Sequence, residues 1–288
     1  MSLLAAENLS FSYNSAAKIK KMAVKDISFS VESGEIIGVI GHTGSGKSTL
    51  MQLLNGLLKP ESGAVYFEGQ NIWDNPKEIS KFRFQIGLVF QYPEYQLFEE
   101  TVYKDIAFAP QNMKLSQEEI DNRVNSALNS VGLNYEFAEK SPFDLSGGEK
   151  RRVAIAGILA MHPKVLILDE PTAGLDPKGR ATVLNMIRDY KENTGAAIII
   201  VSHSMEDVAA LCEKLLVLSN GRAVMFDKTE NVFSQYETLI NNGLDLPSVA
   251  KIFEELHKLG YLKDKMAYTV DDAKKIIVDS IKGGALNA

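Results

Sequence analysis

Apolar residues recur along this chain with two periods, and the changes between them mark out its elements. Leu9, Phe11 and Tyr13 alternate with polar neighbours, as do Ile27, Phe29 and Val31. A period of two predicts two half-buried strands within the first thirty residues. The basic stretch Lys18–Lys21 between them reads as a solvated loop. Ser33-Gly34-Glu35 turns the chain into Ile36–Ile40, an unbroken apolar run of the kind buried on both faces of a parallel sheet. A glycine-rich stretch follows, and then Leu50, Leu53, Leu54 and Leu57 keep helical spacing over Ser48–Leu58.

Ile86–Phe90 is strand-like, and residues from about 92 to 160 read as mainly helical. Ser116-Gln-Glu-Glu119 is a capping-box start ahead of Ile120, Val124 and Leu128, with Gly132 as the stop. Val165–Leu168 and Ala196–Val201 are two more buried strands. The helical pattern from about Lys178 to Asn193 between them makes a βαβ crossover. Lys214–Leu218 and Arg222–Phe226 form a hairpin through Asn220-Gly221. Past Asp245 the pattern changes to two helical segments, about 247–259 and 270–282, separated by Gly260. The reading is an α/β domain over 1–245, with a helical subdomain at about 92–160, and a helical C-terminal extension over 246–288. No internal repeat and no low-complexity tract is visible.

Composition narrows the class. With 288 residues, 45% hydrophobic and 24% charged, the chain can bury a full core. A net charge of -6 argues against a nucleic-acid or anionic-membrane surface. One cysteine, Cys212, rules out an internal disulfide and fits a reducing compartment, where it reads as a small buried hydrophobe. The N-terminus lacks a basic segment followed by a long apolar one, and no apolar run reaches about 18 residues. A protein of this kind that serves a membrane does so from the cytoplasmic face, through another subunit.

Three segments carry chemistry. Gly41-His42-Thr43-Gly44-Ser45-Gly46-Lys47-Ser48-Thr49 matches G-x-x-x-x-G-K-[ST] between a strand and a helix, the setting of a P-loop. Glycines let main-chain N–H groups turn toward phosphate oxygens, and the helix beginning near Ser48 points its positive end at them. Lys47 would hold the β- and γ-phosphates of ATP, and Ser48 would give its hydroxyl oxygen to Mg²⁺. Val165-Leu-Ile-Leu-Asp169-Glu170 is a buried strand ending in two carboxylates, over the crevice that the P-loop faces. Asp169 suits a Mg²⁺ contact, and Glu170 is placed to polarise the attacking water. Leu145-Ser146-Gly147-Gly148-Glu149 has the Ser-x-x-Glu of a capping box, so it can simply start the helix carrying Arg151 and Arg152. Two glycines in a first helical turn are costly for a plain cap, and make sense where bare amides meet an anion. So far from the P-loop in sequence, this second helix start points to the nucleotide of another chain.

Leu145–Glu149 resembles the signature motif of ABC ATPases, and the other landmarks of that family follow in order. Tyr13 resembles the aromatic residue that stacks on adenine, and Gln91 the Q-loop glutamine that senses Mg²⁺ and water. Ala173-Gly174-Leu175-Asp176 resembles the D-loop, and His203 the switch histidine. The likeness covers roughly residues 3 to 235. It implies a P-loop ATPase fold with an N-terminal antiparallel β-subdomain and a helical signature subdomain. It also implies two such domains closing head to tail, with each ATP held between one chain's P-loop and the other chain's Ser146-Gly147-Gly148 equivalent.

Phe90-Gln-Tyr-Pro-Glu-Tyr-Gln-Leu-Phe98 and the following Glu-Glu-Thr-Val stretch resemble ATPases of energy-coupling factor transporters, importers of vitamins and of cobalt or nickel. With Asp169–Arg180, they resemble most the second of the two paired ATPases. That resemblance implies a paralogous ATPase partner, leaving a homodimer open. It implies a transmembrane coupling subunit, and a membrane protein that captures the substrate and is reached only indirectly. The coupling contact is expected at Tyr92–Phe98, with Glu94 and Glu99 receiving arginines or, alternatively, only solvated. The C-terminal extension is expected to join the ATPases. The place implied is the cytoplasmic face of the cell membrane, as a peripheral subunit. Two other readings fit less well. A soluble ABC ATPase of DNA or ribosomes typically has a coiled-coil insertion, zinc cysteines or tandem cassettes, none of which is present. A small-molecule kinase would leave Leu145–Glu149 and His203 idle.

Overall fold

Two sheets of different character carry the chain, described by a computed structural model for residues 2–14, 20–261 and 266–282. Strands β1 (Leu4–Asn14) and β2 (Lys20–Val31) pair antiparallel, and β3 (Ile36–Ile40) leads into helix α1 (Lys47–Leu54). Next come β4 (Ser62–Phe67), β5 (Gln70–Asn71), α2 (Ile79–Gln85) and β6 (Ile86–Val89). The helices α3 (Val102–Asn112), α4 (Gln117–Ser130) and α5 (Gly147–Leu159) precede β7 (Val165–Asp169), α6 (Pro177–Thr194) and β8 (Ala197–Val201). Then follow α7 (Met205–Leu211), the hairpin β9 (Lys214–Ser219) and β10 (Arg222–Lys228), and α8 (Thr229–Ser234). The described chain closes with α9 (Tyr236–Asn241), α10 (Ser248–Lys258) and α11 (Val270–Lys282).

β2-β1-β4-β5 form an antiparallel sheet, and β10-β9-β3-β8-β7-β6 a six-stranded sheet that is parallel except at β10. Its inner strands are buried on both faces, as unbroken apolar runs demand. The strand period of two divides them cleanly. Ile36, Ile40, Leu166, Leu168, Ile198, Ile200, Leu215 and Val217 pack on the helical side against α3 to α7. Ile37, Val39, Val165, Ile167, Ile199, Val201, Leu216 and Leu218 pack against α1 and the antiparallel sheet. Each such side chain contributes about 1.5–3 kcal/mol by leaving water. Gly38 lies in the middle of β3, where a Cβ would sit 2.5 Å from Leu215 Cδ2 and 3.0 Å from Cys212 Sγ. Its missing side chain lets the end of α7 lie close on the sheet.

Register then positions the chemistry. Val39 pairs with Val201, and Val201 with Asp169, so three strands end along one row. The loop at Gly41, Glu170 and His203 all leave that row within two residues. The α6 crossover joins adjacent parallel strands, as its pattern predicts.

Three expectations shift. The helix after the glycine-rich stretch ends at Leu54 rather than Leu58: Gly56 turns at φ +75°, and Leu57 is 42% exposed. Lys20 and Lys21 belong to β2, paired with Asn14 and Tyr13, rather than to a loop; residues 18 and 19 lie outside the described residues. Ala196 precedes β8 rather than opening it. Ser116 does cap α4, its hydroxyl accepting from Glu119 N–H at 3.3 Å, and Gly132 follows the helix at φ +68°. At the C-terminus, Leu244, Leu246 and Ala250 join the main core, while Phe253, Ala267 and Ala273 make a small cluster of their own. Ser248 N–H and Oγ donate to Glu206 Oε1 at 3.2 and 2.9 Å, fastening α10 to α7.

Candidate nucleotide site

Residues Gly41–Thr49 wrap from β3 into α1. Gly46, the cap of α1, has φ +105°, and a Cβ there would lie 2.3 Å from Ala23 O, so the loop is pressed onto β2. Gly44, at φ +81°, faces open space, as exposed Thr43 does next to it. Ser45 N–H donates to His42 O at 3.1 Å, while Ser45 Oγ is buried with no hydrogen-bond partner. His42 Nδ1 lies 2.9 Å from Thr43 O. Lys47 Nζ bends back into the loop, donating to Gly41 O at 2.6 Å and His42 O at 3.1 Å. Burial lowers the proton affinity of this ammonium, against the pull of Glu170 and Asp169. Tyr13 stands 47% exposed near the end of β1, its hydroxyl 3.3 Å from Thr49 Oγ1.

The two acids meet this loop. Asp169 is buried beside the Ser48 side chain, and burial raises its carboxyl above the usual range, against the opposing pull of Ser48 and Lys47. Hydroxyl and carboxylate together are the oxygen-only donors that a hard divalent cation takes, with phosphate oxygens completing its shell. Glu170, also buried, has φ +52°, a left-handed backbone uncommon for a non-glycine residue. Its main-chain N–H donates to Val201 O at 2.9 Å. Its Oε2 accepts from the His203 N–H at 3.4 Å, and its Oε1 lies 3.2 Å from His203 Nε2, without the alignment of a hydrogen bond. Burial raises the Glu170 carboxyl, Asp169 adding to the effect, and burial lowers the His203 imidazole, with Lys47 adding. An acid that resists ionising thus sits beside an imidazole that resists protonation.

Gln91 is exposed two residues past the end of β6, and the structure does not bring it into hydrogen-bond contact with Ser48, Asp169 or Glu170. Asp176 caps α6, its Oδ1 accepting from Gly179 N–H at 2.6 Å. Along Tyr92–Glu99, Tyr92, Tyr95 and Phe98 are exposed, and Phe98 stacks edge-on against exposed Phe108 at 5.2 Å. Glu99 is half-buried. Glu94 departs from the expected outward carboxylate: its Oε2 is buried without a hydrogen bond, and its charge acts on Arg151.

At Leu145–Glu149, both readings of the sequence have a structural counterpart. The capping box is complete: Ser146 Oγ accepts from Glu149 N–H at 3.4 Å, and Glu149 Oε2 accepts from Ser146 N–H at 2.8 Å. The Ser146 hydroxyl also donates to Glu149 Oε2 at 2.6 Å, and this bond, with that from the Ser146 N–H, holds the Glu149 carboxyl below its ordinary value. Leu145 is buried, but Ser146, Gly147 and Gly148 are exposed, and a Cβ on either glycine would meet nothing within 4 Å. The cap accounts for Ser146 and Glu149, and nothing among the described residues accounts for the glycines. A cleft of about 370 Å³ opens beside them, shared with Asp176, Lys178 and Thr182.

Sequence reasoning misses two sets of residues. Arg151 is buried in α5, with Nη2 donating to Glu170 O at 2.9 Å and Nη1 to Ala173 O at 2.7 Å. Buried Asp207 accepts from Thr172 Oγ1 at 2.6 Å and from Arg180 Nε at 2.7 Å, and Arg180 also donates to Ser204 Oγ at 2.7 Å. That network ties the segment after Glu170 to the segment after His203. Its signal is weak: polar residues in helices usually face water, and only the tertiary fold buries these.

The family model described as "ABC transporter" matches residues 24–173. The chain belongs to the ABC transporter family. The ABC transporter relatives include the energy-coupling factor transporter ATP-binding protein EcfA2 of Caldanaerobacter subterraneus subsp. tengcongensis. It is 50% identical over 277 residues, 96% of this chain and 97% of that protein. The protein of the same name from Clostridium tetani is 49% identical over 282 residues, 98% of each chain. Among solved structures, cbiO1 from Clostridium perfringens, part of the ABC transporter complex cbiONQ, matches with a TM-score of 0.73 and 40% identity. The match covers 88% of this chain and 99% of that one. The ATP-binding cassette MJ0796, as a dimer bound to ADP and Pi, matches with a TM-score of 0.70 and 28% identity, over 78% and 98%. As a member of this ABC transporter family the chain is an ATP-binding, ATP-hydrolysing subunit with the P-loop α/β fold. No helix among the described residues is long and apolar enough to cross a membrane.

Proposed function

We propose that this chain is the ATPase that energises uptake of vitamins or transition-metal ions by an energy-coupling factor transporter, working beside a paralogous ATPase. One observation carries the reading. A single crevice gathers Lys47, Ser48, Asp169, Glu170 and His203, while a second anion-suited turn, Ser146-Gly147-Gly148, stands exposed, its glycines met by nothing among the described residues.

In this reading, amides of residues 44–48 and Lys47 grip the β- and γ-phosphates, and Tyr13 stacks on the base. Ser48, Asp169 and Gln91 would hold Mg²⁺, which when bound neutralises charge on the phosphate oxygens. Water attacks the γ-phosphorus as the bond to the ADP oxygen breaks. Glu170 orients that water and takes its proton, and His203, beside it, contacts the γ-phosphate. The neighbour's Leu145–Glu149 equivalent closes over the triphosphate, with Asp176 at the seam. Closure contributes mainly by positioning the reactants. Because the ligand binds the closed pair better than the open one, ATP drives closing, and hydrolysis releases it.

The exposed aromatics Tyr92, Tyr95, Phe98 and Phe108 form the surface that we assign to the transmembrane coupling subunit, with Glu94 and Glu99 at its margin. Residues 1–245 form the ATPase domain, and 246–288 the extension that meets the other ATPase; Ile252, Leu259 and Val270 are exposed on it. The protein then sits peripherally on the cytoplasmic face of the membrane, and the substrate-capture protein is reached only through the coupling subunit.

The test is co-purification of a tagged Glu170→Gln chain from detergent-solubilised membranes with Mg·ATP. A second ABC ATPase and an integral membrane protein are expected in stoichiometric amounts. Recovery of the tagged chain alone, or with nucleic acid, would contradict the reading.

A further inference from the structure

Arg151 is a buried cation held almost wholly by main-chain oxygens. It is 3% exposed, and its two donated bonds go to Glu170 O and Ala173 O, while Nε has no partner. Ala173 N–H in turn donates to Glu170 O at 3.2 Å, so the planar guanidinium fork grips both ends of one tight turn. That turn starts at the left-handed Glu170, a backbone that persists only where its surroundings impose it. Helix α5 packs against the short helical turn Pro93–Gln96, and the charge of Glu94 in that turn acts on Arg151. The Glu94 Oε2 is buried and, like Arg151 Nε, makes no hydrogen bond. Tyr92, which enters this turn, is itself left-handed at φ +55°.

We propose that Arg151 is a positioning residue for hydrolysis: it sets the backbone that aims the Glu170 carboxylate, and through Glu94 it makes that aim depend on the segment following Gln91. The proposal rests on the reading that Glu170 is the catalytic carboxylate. It gives α5 two roles. The N-terminus of the helix serves the neighbour's nucleotide, and Arg151, on its second turn, serves the chain's own. Lysine cannot replace the fork, because a single ammonium lacks two parallel donors in a fixed plane.

The experiment is a double-mutant cycle on the full chain in the complex with which it co-purifies, read as ATP turnover and as single-turnover phosphate release. Arg151→Lys is expected to lower kcat by roughly tenfold or more while leaving KM for ATP within about twofold, because only an interaction realised in the transition state is lost. In the Glu170→Gln background the same substitution is expected to lower the residual rate no further, since a residue acting through Glu170 has nothing left to aim. Glu94→Gln conserves shape and tests the second link. A loss of about two- to fivefold in kcat is expected alone, and none on top of Arg151→Lys. An equal fold-loss in the Glu170→Gln background, or parallel falls in ATP affinity and Tm, would overturn the proposal. Full turnover by Glu170→Gln alone would instead overturn the catalytic assignment, so the two failures are distinct.

Discussion

His203 and Glu170 touch twice: the histidine's main-chain N–H donates to Oε2, and its Nε2 lies 3.2 Å from Oε1. The two residues sit one and two positions past neighbouring parallel strands whose register is fixed by Asp169 and Val201. Their approach is therefore set by the sheet, and the side chains only complete it. Burial acts on both, raising the carboxyl and lowering the imidazole.

A pH dependence follows. A water-activating carboxylate works when ionised, so activity is lost as the pH falls through the Glu170 pKa. Because that pKa is raised, the acid limb of kcat/KM, which reports the free enzyme, should lie above the ordinary glutamate value of about 4.3. A pH series of initial rates measures it; a limb at or below that value would count against the buried carboxylate.

Burial of Glu170 has a stability consequence as well. A carboxyl whose folded pKa lies above its unfolded one favours folding at low pH, and that advantage disappears as the pH rises through the folded value. Glu170→Gln removes the cost of keeping a buried carboxylate ionised. It should therefore raise the Tm of the nucleotide-free protein near pH 8 by a few degrees, since each tenfold change in proton affinity corresponds to about 1.4 kcal/mol. The gain should shrink toward pH 4. Calorimetry at both pH values decides, and a lower Tm at pH 8 would contradict the prediction.

Gly148→Ala separates stability from turnover. Nothing among the described residues obstructs a methyl group there, and alanine favours a helical turn by up to about 1 kcal/mol. The variant should match or exceed the parent in Tm and bind ATP normally, yet lose most of its ATPase activity in the assembled pair. Undiminished turnover would show that the bare glycines serve no nucleotide.

Tyr13→Ala should weaken ATP binding by roughly tenfold, as loss of one aromatic stack does, while Tm hardly changes for a side chain so exposed. Tyr13→Phe, which keeps the ring and loses the 3.3 Å contact with Thr49, should bind nearly as the parent does. Equilibrium titration with a fluorescent ATP analogue measures both. A Phe variant as weak as the Ala variant would place the contribution in the hydroxyl.

Much of this is legible in the sequence, for identifiable reasons. Ile36–Ile40, Val165–Asp169 and Ala197–Val201 are buried on both faces, so their runs carry no polar interruption and their ends announce the crevice. Gly41–Thr49 and Asp169-Glu170 are local motifs whose chemistry depends on neighbours in the chain. The helix end at Leu54 is hidden because Leu57 keeps the period although the chain has already turned at Gly56. Arg151, Thr172 and Asp207 are illegible as site residues, since their roles arise from main-chain oxygens and side chains 19 to 35 residues away. Glu94 reads as a surface acid because no local pattern reveals a buried carboxylate oxygen.

In the proposed mechanism the triphosphate is gripped by one protomer and covered by the signature turn of another. Photo-cross-linking tests it directly, using ATP with a reactive γ-phosphate, the Glu170→Gln complex with Mg²⁺, and peptide mapping by mass spectrometry. Label is predicted on residues 41–49 of the chain in every state, and on residues 145–149 only when subunits are paired. Label on residues 145–149 of the isolated monomer, or none there in the paired complex, would contradict the account.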